Sequence, residues 1–463
     1  MRTHVHQKLP PCQGGMRLRQ TLSHNFGLVL LLFSVVDIGS VSASWGGDWG
    51  KSQESQLAFE DFHSKNRSNR SEAFKYTKDD LLIAIPGQTE RLSLVEASRP
   101  WRRGVNTFVA LEKPLTEDSA PEGFLSKTAE HKEHFGTYQD PRSKNEWEKA
   151  GDLRASIAPF LAAKEMGLDS FKWVLYGDDD TVFFVDGALD MLENLDYNMP
   201  YLLSDDVWFV EDDAQGKQIN THPNRRAPRC LPCGYHDEIA DTGYIPWGSF
   251  KAPEGCPCTY ETICKAPGNE GYFGQNCEWL KVHPGLWYFI HGGAGAIMSL
   301  GLFRLISWDR VDGYFMRGSF ASGDSMLTVA IYEMTGILPT DPGYGYYRDH
   351  VQMFDPGWKG YQTKGPEDWN FDVFDKGNDP EGVLQRLQTA VHGGDCDSEC
   401  DDQLQHLVSV HIRSRYSQEY AVNANDTDFR HVGPEHHRPA SYMHFALDKW
   451  YMKFRKARGL AAY

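Results

Sequence analysis

Three consecutive carboxylates, Asp178, Asp179 and Asp180, end an apolar run that starts at Lys172-Trp173-Val174-Leu175-Tyr176-Gly177, and a second apolar run, Thr181-Val182-Phe183-Phe184-Val185, follows at once. The first run is short, aromatic and β-branched, which reads as a buried strand. Carboxylates at the end of a buried strand are costly to keep charged unless positive charge faces them. A hard divalent cation held through oxygen ligands answers that cost. A solvated acidic turn is the alternative. The immediate return to Val-Phe-Phe-Val argues against it, because a merely solvated turn needs no apolar continuation.

Two other groups can do chemistry. His291-Gly292-Gly293-Ala294-Gly295 follows the aromatic stretch 286–290. Glycines there let backbone approach a ligand closely, or form a plain tight turn. Asp324 opens a helical pattern carried by Leu327, Ala330, Ile331 and Met334. An acid at a helix start is either a cap or a reactive group.

The elements that must position these residues alternate. Strands are expected at 80–86, 107–111 and 172–177, then at 201–204, 286–291 and 404–412. Helical spacing runs over 89–99, 145–166 (with Pro159 intruding), 187–195 and from Asp324 onward, and the apolar residues after Gly295 also read as helical. Strand–helix alternation predicts an α/β fold with a mostly parallel sheet, and ligands gather beyond the carboxyl ends of such strands. Residues 205–285 read as a Cys-, Gly- and Pro-rich insertion and 341–402 as loop.

The 463-residue chain has a formal charge of −17, which argues against nucleic acid as a main partner. Residues 1–25 form a basic flank, and 26–43 an apolar stretch interrupted by Asp37. That is the arrangement of a signal anchor or a cleaved signal peptide. Residues 44–75 are a polar stem, 76–424 the main domain and 425–463 a basic, aromatic tail. Eight cysteines follow the apolar stretch, six of them within the insertion. In a secretory compartment they read as disulfides, with zinc at Cys230-x-x-Cys233 and Cys256-x-Cys258 the lesser alternative. Sequons begin at Asn66, Asn69 and Asn425.

The acidic triplet with Lys172-Trp173 before it, and His291-Gly-Gly-Ala-Gly295 downstream, resembles the Fringe-like β-1,3-glycosyltransferases, glycosyltransferase family 31, including their plant and algal branch. The resemblance is dense over 171–204 and 287–299 and looser at 81–111, 322–338 and 407–412; it does not extend to the insertion or the tail. It implies a GT-A-like, Rossmann-type fold, a UDP-sugar donor, Mn²⁺ as cofactor and a glycan or glycoprotein acceptor; with the N-terminal stretch, the expectation is a membrane-anchored protein of the Golgi or another secretory lumen, or a secreted one. On this chain it makes Asp180 a metal ligand, with Asp178 and Asp179 supporting the donor. His411 becomes the second metal ligand, with His350 as alternative. Arg91 matches the family's early arginine, and Gly292, Gly293 and Gly295 its glycine motif. Asp324 matches the acceptor-activating base, although Gly323 stands where the family has a second acid. An aspartyl-nucleophile phosphatase and a non-catalytic sugar-binding protein are the competing classes. The first lacks the glycine expected before Thr181; the second is favoured by Gly323.

Overall fold

The computed structural model describes residues 74–139, 151–193, 195–204, 207–212, 218–221, 230–233, 254–264, 288–315, 322–342, 352–353, 407–411 and scattered positions from His444 to Gly459. All lie in the compact unit Trp49–Tyr463. The stretch 26–43, the three sequons and His350 fall outside the described residues. Among the described residues no helix is long and apolar enough to cross a membrane.

The strands are β1 (Leu81–Pro86), β2 (Asn106–Leu111), β3 (Glu133–Thr137), β4 (Trp173–Tyr176), β5 (Thr181–Phe183), β6 (Leu202–Leu203), β7 (Val207–Asp212), β8 (Gln218–Thr221), β9 (Tyr288–Ile290), β10 (Ala296–Ser299), β11 (Gln352–Met353) and β12 (Leu407–His411). The helices are α1 (Leu92–Ala97), α2 (Asp152–Met166), α3 (Val185–Leu192), α4 (Tyr260–Cys264), α5 (Leu300–Arg304), α6 (Trp308–Phe315) and α7 (Gly323–Thr335).

The main sheet runs β3-β2-β1-β4-β10-β6. Its first four strands are parallel; β10 runs antiparallel to β4 on one side and β6 on the other. The protein is therefore α/β with a mostly parallel sheet. Leu-Leu-Ile-Ala-Ile of β1 is buried throughout, as is Trp-Val-Leu-Tyr of β4. Such continuous apolar runs are what strands covered on both faces require. Trp173 is fully buried, edge-on to Tyr76 at 5.9 Å and stacked with Tyr201 at 6.4 Å.

The chain steps outward from β1 to β2 and β3, then returns to lay β4 on the other side of β1. That reversal leaves a crevice beyond the carboxyl ends of β1 and β4, where ligands bind in open α/β sheets. A second small sheet, β11-β12-β5, starts from the far side of the acidic triplet: β5 pairs antiparallel with β12, setting His411 opposite Thr181. A third, β8-β7-β9, is antiparallel. Helices α2 and α7 meet at their first turns, because a Cβ on Gly323 would come within 2.7 Å of Ala155 Cβ and 2.8 Å of the Asp152 carbonyl.

Three expectations need adjusting. Ala296–Ser299 is strand β10, not helix. Four apolar residues are too few for periodicity to decide, and the helix starts one residue later, with the Ser299 side chain accepting from the Leu302 N–H. The insertion contains ordered strands, β7 and β8. Its cysteines form Cys230–Cys258 and Cys233–Cys256, which removes the zinc reading; Cys264 is also disulfide-bonded. This knot is moored to the main domain by the Asp341 N–H to the Cys230 carbonyl and the Leu338 N–H to the Cys258 carbonyl, both 2.9 Å. Finally, described positions of the segment 425–463 pack on the domain. Tyr451 lies 4.2 Å from Phe184 between ring centroids, Leu447 is buried, and Arg455 bonds Asp190 at 2.8 Å.

Candidate active site

A cavity of about 420 Å³ opens at the reversal between β1 and β4. It is lined by Arg91, Asp178, Asp179, Asp180, Gly292, Gly293, Asp324 and His411, together with residues that sequence reasoning did not single out as site residues. The structure thus brings together eight of the nine positions marked from the sequence.

The acidic turn is built by geometry that only a glycine allows. A Cβ at Gly177 would lie 2.8 Å from three Thr181 side-chain atoms. The Thr181 N–H closes the turn on the Asp178 carbonyl at 3.0 Å. The Thr181 hydroxyl donates to the Gly293 carbonyl at 2.8 Å, and the Ser409 hydroxyl to the Ala294 carbonyl at 2.6 Å. Acidic turn, glycine loop and β12 are therefore stitched into one unit. Within it Asp180 Oδ1 lies 3.5 Å from His411 Nε2, with both side chains buried. His291 stacks edge-on to His411, ring centroids 5.1 Å apart.

The ninth position, Gly295, plays a different part. Its φ is +87°, a conformation that favours glycine, and a Cβ would meet Phe183 at 2.8 Å and the Tyr176 carbonyl at 3.0 Å. It shapes the turn behind the cavity wall.

Charge in this cavity is unbalanced. Arg91 Nη2 bonds Asp179 Oδ1 at 2.5 Å. Burial works against the Arg91 charge, but Asp179, Asp180 and Asp178 together raise its pKa above the ordinary value. Burial pushes the Asp179 carboxyl up to about 7, more than Arg91 offsets. Burial and the adjacent Asp180 push Asp178 up to about 6, against His411 and Arg91. Carboxylates held this high signal negative charge short of a counter-ion.

These donors fit a hard divalent cation. Among the described residues no group of three or more Asp, Glu, His or Cys forms a complete metal cluster. What stands here is a pair, Asp180 and His411, flanked by Asp178. Small divalent cations are commonly held by one or two protein ligands while substrate phosphates and water supply the rest. The neighbouring uncompensated charge on Asp178 is what such a cation would relieve.

Asp324, the second residue of α7, accepts from the Gly292 N–H at 3.2 Å, the Ser325 N–H at 2.8 Å and the Ser322 hydroxyl at 2.5 Å. It serves as a local cap and still lines the cavity. The Tyr176 hydroxyl also lines it and has no hydrogen-bond partner among the described residues. Arg154 and Gln88 were missed by sequence reasoning, while Tyr176 and His291 entered only as parts of the acidic strand and the glycine motif. Arg154 carried a signal, as a charge on a helix whose neighbours Leu153, Ile157, Phe160 and Leu161 are apolar.

No protein-family model matches the chain, and no curated protein does. Among solved structures, core-mannan synthase A from Aspergillus fumigatus in its Mn/GDP form is similar in part, at 13% identity over 58% of this chain and 72% of that one, with a TM-score of 0.25. Likeness at that level assigns neither fold nor chemistry to this chain.

Proposed function

We propose that the protein is a divalent-cation-dependent, inverting glycosyltransferase. It would move a sugar from a UDP-sugar to a hydroxyl of a glycan or glycoprotein, forming a β-1,3 linkage, in the Golgi or another secretory lumen. One observation carries the reading. The buried pair Asp180–His411 and the separate carboxylate Asp324 line one cavity at the reversal point of a mostly parallel sheet.

Each residue has a task in that reaction. Asp180 and His411 would hold the cation, Mn²⁺ being the expected one; when bound, it supplies Lewis-acid neutralisation of charge developing on the diphosphate. Arg91 holds Asp179 in place and adds positive potential beside it. Gly292 and Gly293 leave room for donor and histidine ring. Asp324 takes the proton of the acceptor hydroxyl as its oxygen bonds to the anomeric carbon. The bond from that carbon to the diphosphate breaks, and its electron pair leaves with the nucleoside diphosphate. Asp324 comes from α7 and the acidic turn from the β4–β5 junction, so base and leaving-group site belong to different elements, which permits approach from opposite faces of the donor sugar.

The test is turnover. Purified full-length protein, offered a panel of UDP-sugars with Mn²⁺, should release UDP on addition of a glycan acceptor. Asp180→Asn should abolish release. Asp324→Asn should lower kcat by about 10²–10⁴-fold while leaving nucleotide affinity nearly unchanged. Release of inorganic phosphate without metal would contradict the proposal, as would nucleotide-sugar binding with no turnover across a broad acceptor panel.

A further inference from the structure

Arg154 is nine-tenths buried at the start of α2, lines the cavity, and makes no hydrogen bond or ion pair among the described residues. Its Nε is fully buried and unpaired. A guanidinium placed so is costly, and native proteins seldom keep one without an anion. The nearby carboxylates are taken. Glu112 accepts from the Thr89 N–H at 3.2 Å and from its hydroxyl, and Asp179 is bonded to Arg91. Neither forms an ion pair with Arg154, and burial depresses the Arg154 pKa despite the pull of Glu112 and Asp179.

A second observation points the same way. Helix α2 has fifteen residues and is preceded by Gly151 (φ +104°) at its N-cap, which has no side chain to close the helix end. Gly151, Asp152, Arg154 and Ala155 all line the cavity, so the N-terminus of α2 faces it. The positive end of a helix dipole favours an anion there. Asp152 in the first turn occupies part of that field, so the arginine must supply the dominant charge. A Cβ at Gly151 would stand 3.3 Å from both Arg154 Nη2 and Gln88 Nε2, which places both donors round the same backbone.

We propose that Arg154, with the N-terminus of α2 and Gln88, forms a second anion subsite that binds an acidic oxygen group of the nucleotide-sugar donor. The group is either a phosphoryl of the diphosphate or the carboxylate of a uronic acid. This rests on the reading of the cavity as a donor site, and the experiment separates the two.

Calorimetric titrations of full-length wild type and Arg154→Met use three probes in Mg²⁺: UDP-glucose, UDP-glucuronate and inorganic pyrophosphate. Loss of about tenfold or more for both nucleotide sugars in the variant would assign a phosphoryl. Loss confined to UDP-glucuronate would assign the carboxylate and mark the donor as a uronic acid. Arg154→Lys should recover part of the affinity. The unliganded Arg154→Met protein should melt no lower than wild type, because an uncompensated buried charge has been removed. Affinities within twofold of wild type would overturn the proposal. So would equal loss in both variants accompanied by lowered melting of both, which marks a packing role. If wild type binds only pyrophosphate, and does so through Arg154, the subsite stands and the transferase reading falls. If it binds none of the three, the subsite is overturned.

Discussion

Gly293 and His411 are in contact through a space that admits no side chain: a Cβ at position 293 would stand 2.2 Å from His411 Cε1 and 2.4 Å from Nε2. The His411 ring is otherwise held by β12 pairing with β5 and by the edge of His291. That pairing fixes its backbone, so the ring can give way only by turning about its own side-chain bonds. Gly293→Ala should therefore push the ring off its line to Asp180 while leaving both candidate ligands in the chain. The expected result is a loss of roughly 10–100-fold in divalent-cation affinity, the range seen when the support of a ligand is removed, measured by Mn²⁺ titration. An unchanged affinity would show that His411 does not ligate from this position. At this scale the sequence was readable in part. Asp178 to Asp180 were marked by an energetic conflict that residues alone display. His411 and Arg91 were found through resemblance, because a single histidine at a strand end has no distinguishing spacing. Arg154 and His444 belong to neither pattern and needed the fold.

The acidic turn is held by elements far apart in the chain, and the least expected of them is the C-terminal segment. His444 is fully buried, with Nδ1 3.1 Å from the Trp101 indole nitrogen and Nε2 3.1 Å from the Asp179 carbonyl. Indole N–H only donates, so Nδ1 accepts and Nε2 carries the proton that the Asp179 carbonyl accepts. Burial pushes the His444 pKa down to about 4, so the ring stays neutral at physiological pH and keeps that tautomer. His444→Phe fills the space but leaves a buried donor and a buried carbonyl unpaired. It should cost about 2 kcal/mol of stability in chemical denaturation and weaken cation binding by loosening the turn. Equal stability and equal cation affinity would remove His444 from this role. Composition alone presents this segment as a basic tail, because the contacts that fix it span more than two hundred residues and leave no local periodicity. A similar account covers β10, which reads as helix in isolation and becomes a strand only because β4 and β6 flank it.

On the scale of the whole molecule, the site exists because the sheet reverses direction at β1, and the far edge of that sheet is secured by charge. Glu133, the first residue of β3, is buried and bonded to Arg99 at 2.8 and 2.9 Å and to Arg102. Burial raises its pKa, but the two guanidiniums prevail and hold it below the ordinary 4.5. A carboxylate with a depressed folded-state pKa adds stability that is present above the unfolded value and lost as pH falls through the folded one. Glu133→Gln should thus cost roughly 3 kcal/mol at pH 7 by leaving the buried Arg102 guanidinium without a counter-charge and Arg99 with Glu96 alone. The gap to wild type should narrow below about pH 4.5 in denaturation curves. A gap that stays constant from pH 7 to 3.5 would show that ionisation of Glu133 does not matter.

The alternation of strands and helices made the parallel sheet legible, and with it the carboxyl-end location of the acids. The antiparallel β10, the pairing β5–β12 and the mooring of the disulfide knot rest on non-local contacts that no local pattern reports. A cation site formed by Asp180 and His411 and completed by a nucleotide diphosphate should show itself when Mn²⁺ is titrated into full-length protein with and without UDP, following the free-ion electron paramagnetic resonance signal. Mn²⁺ should bind, UDP should strengthen that binding, and Asp180→Asn and His411→Ala should each weaken it by at least about tenfold. Mn²⁺–UDP binding of equal strength in wild type and both variants would contradict such a site.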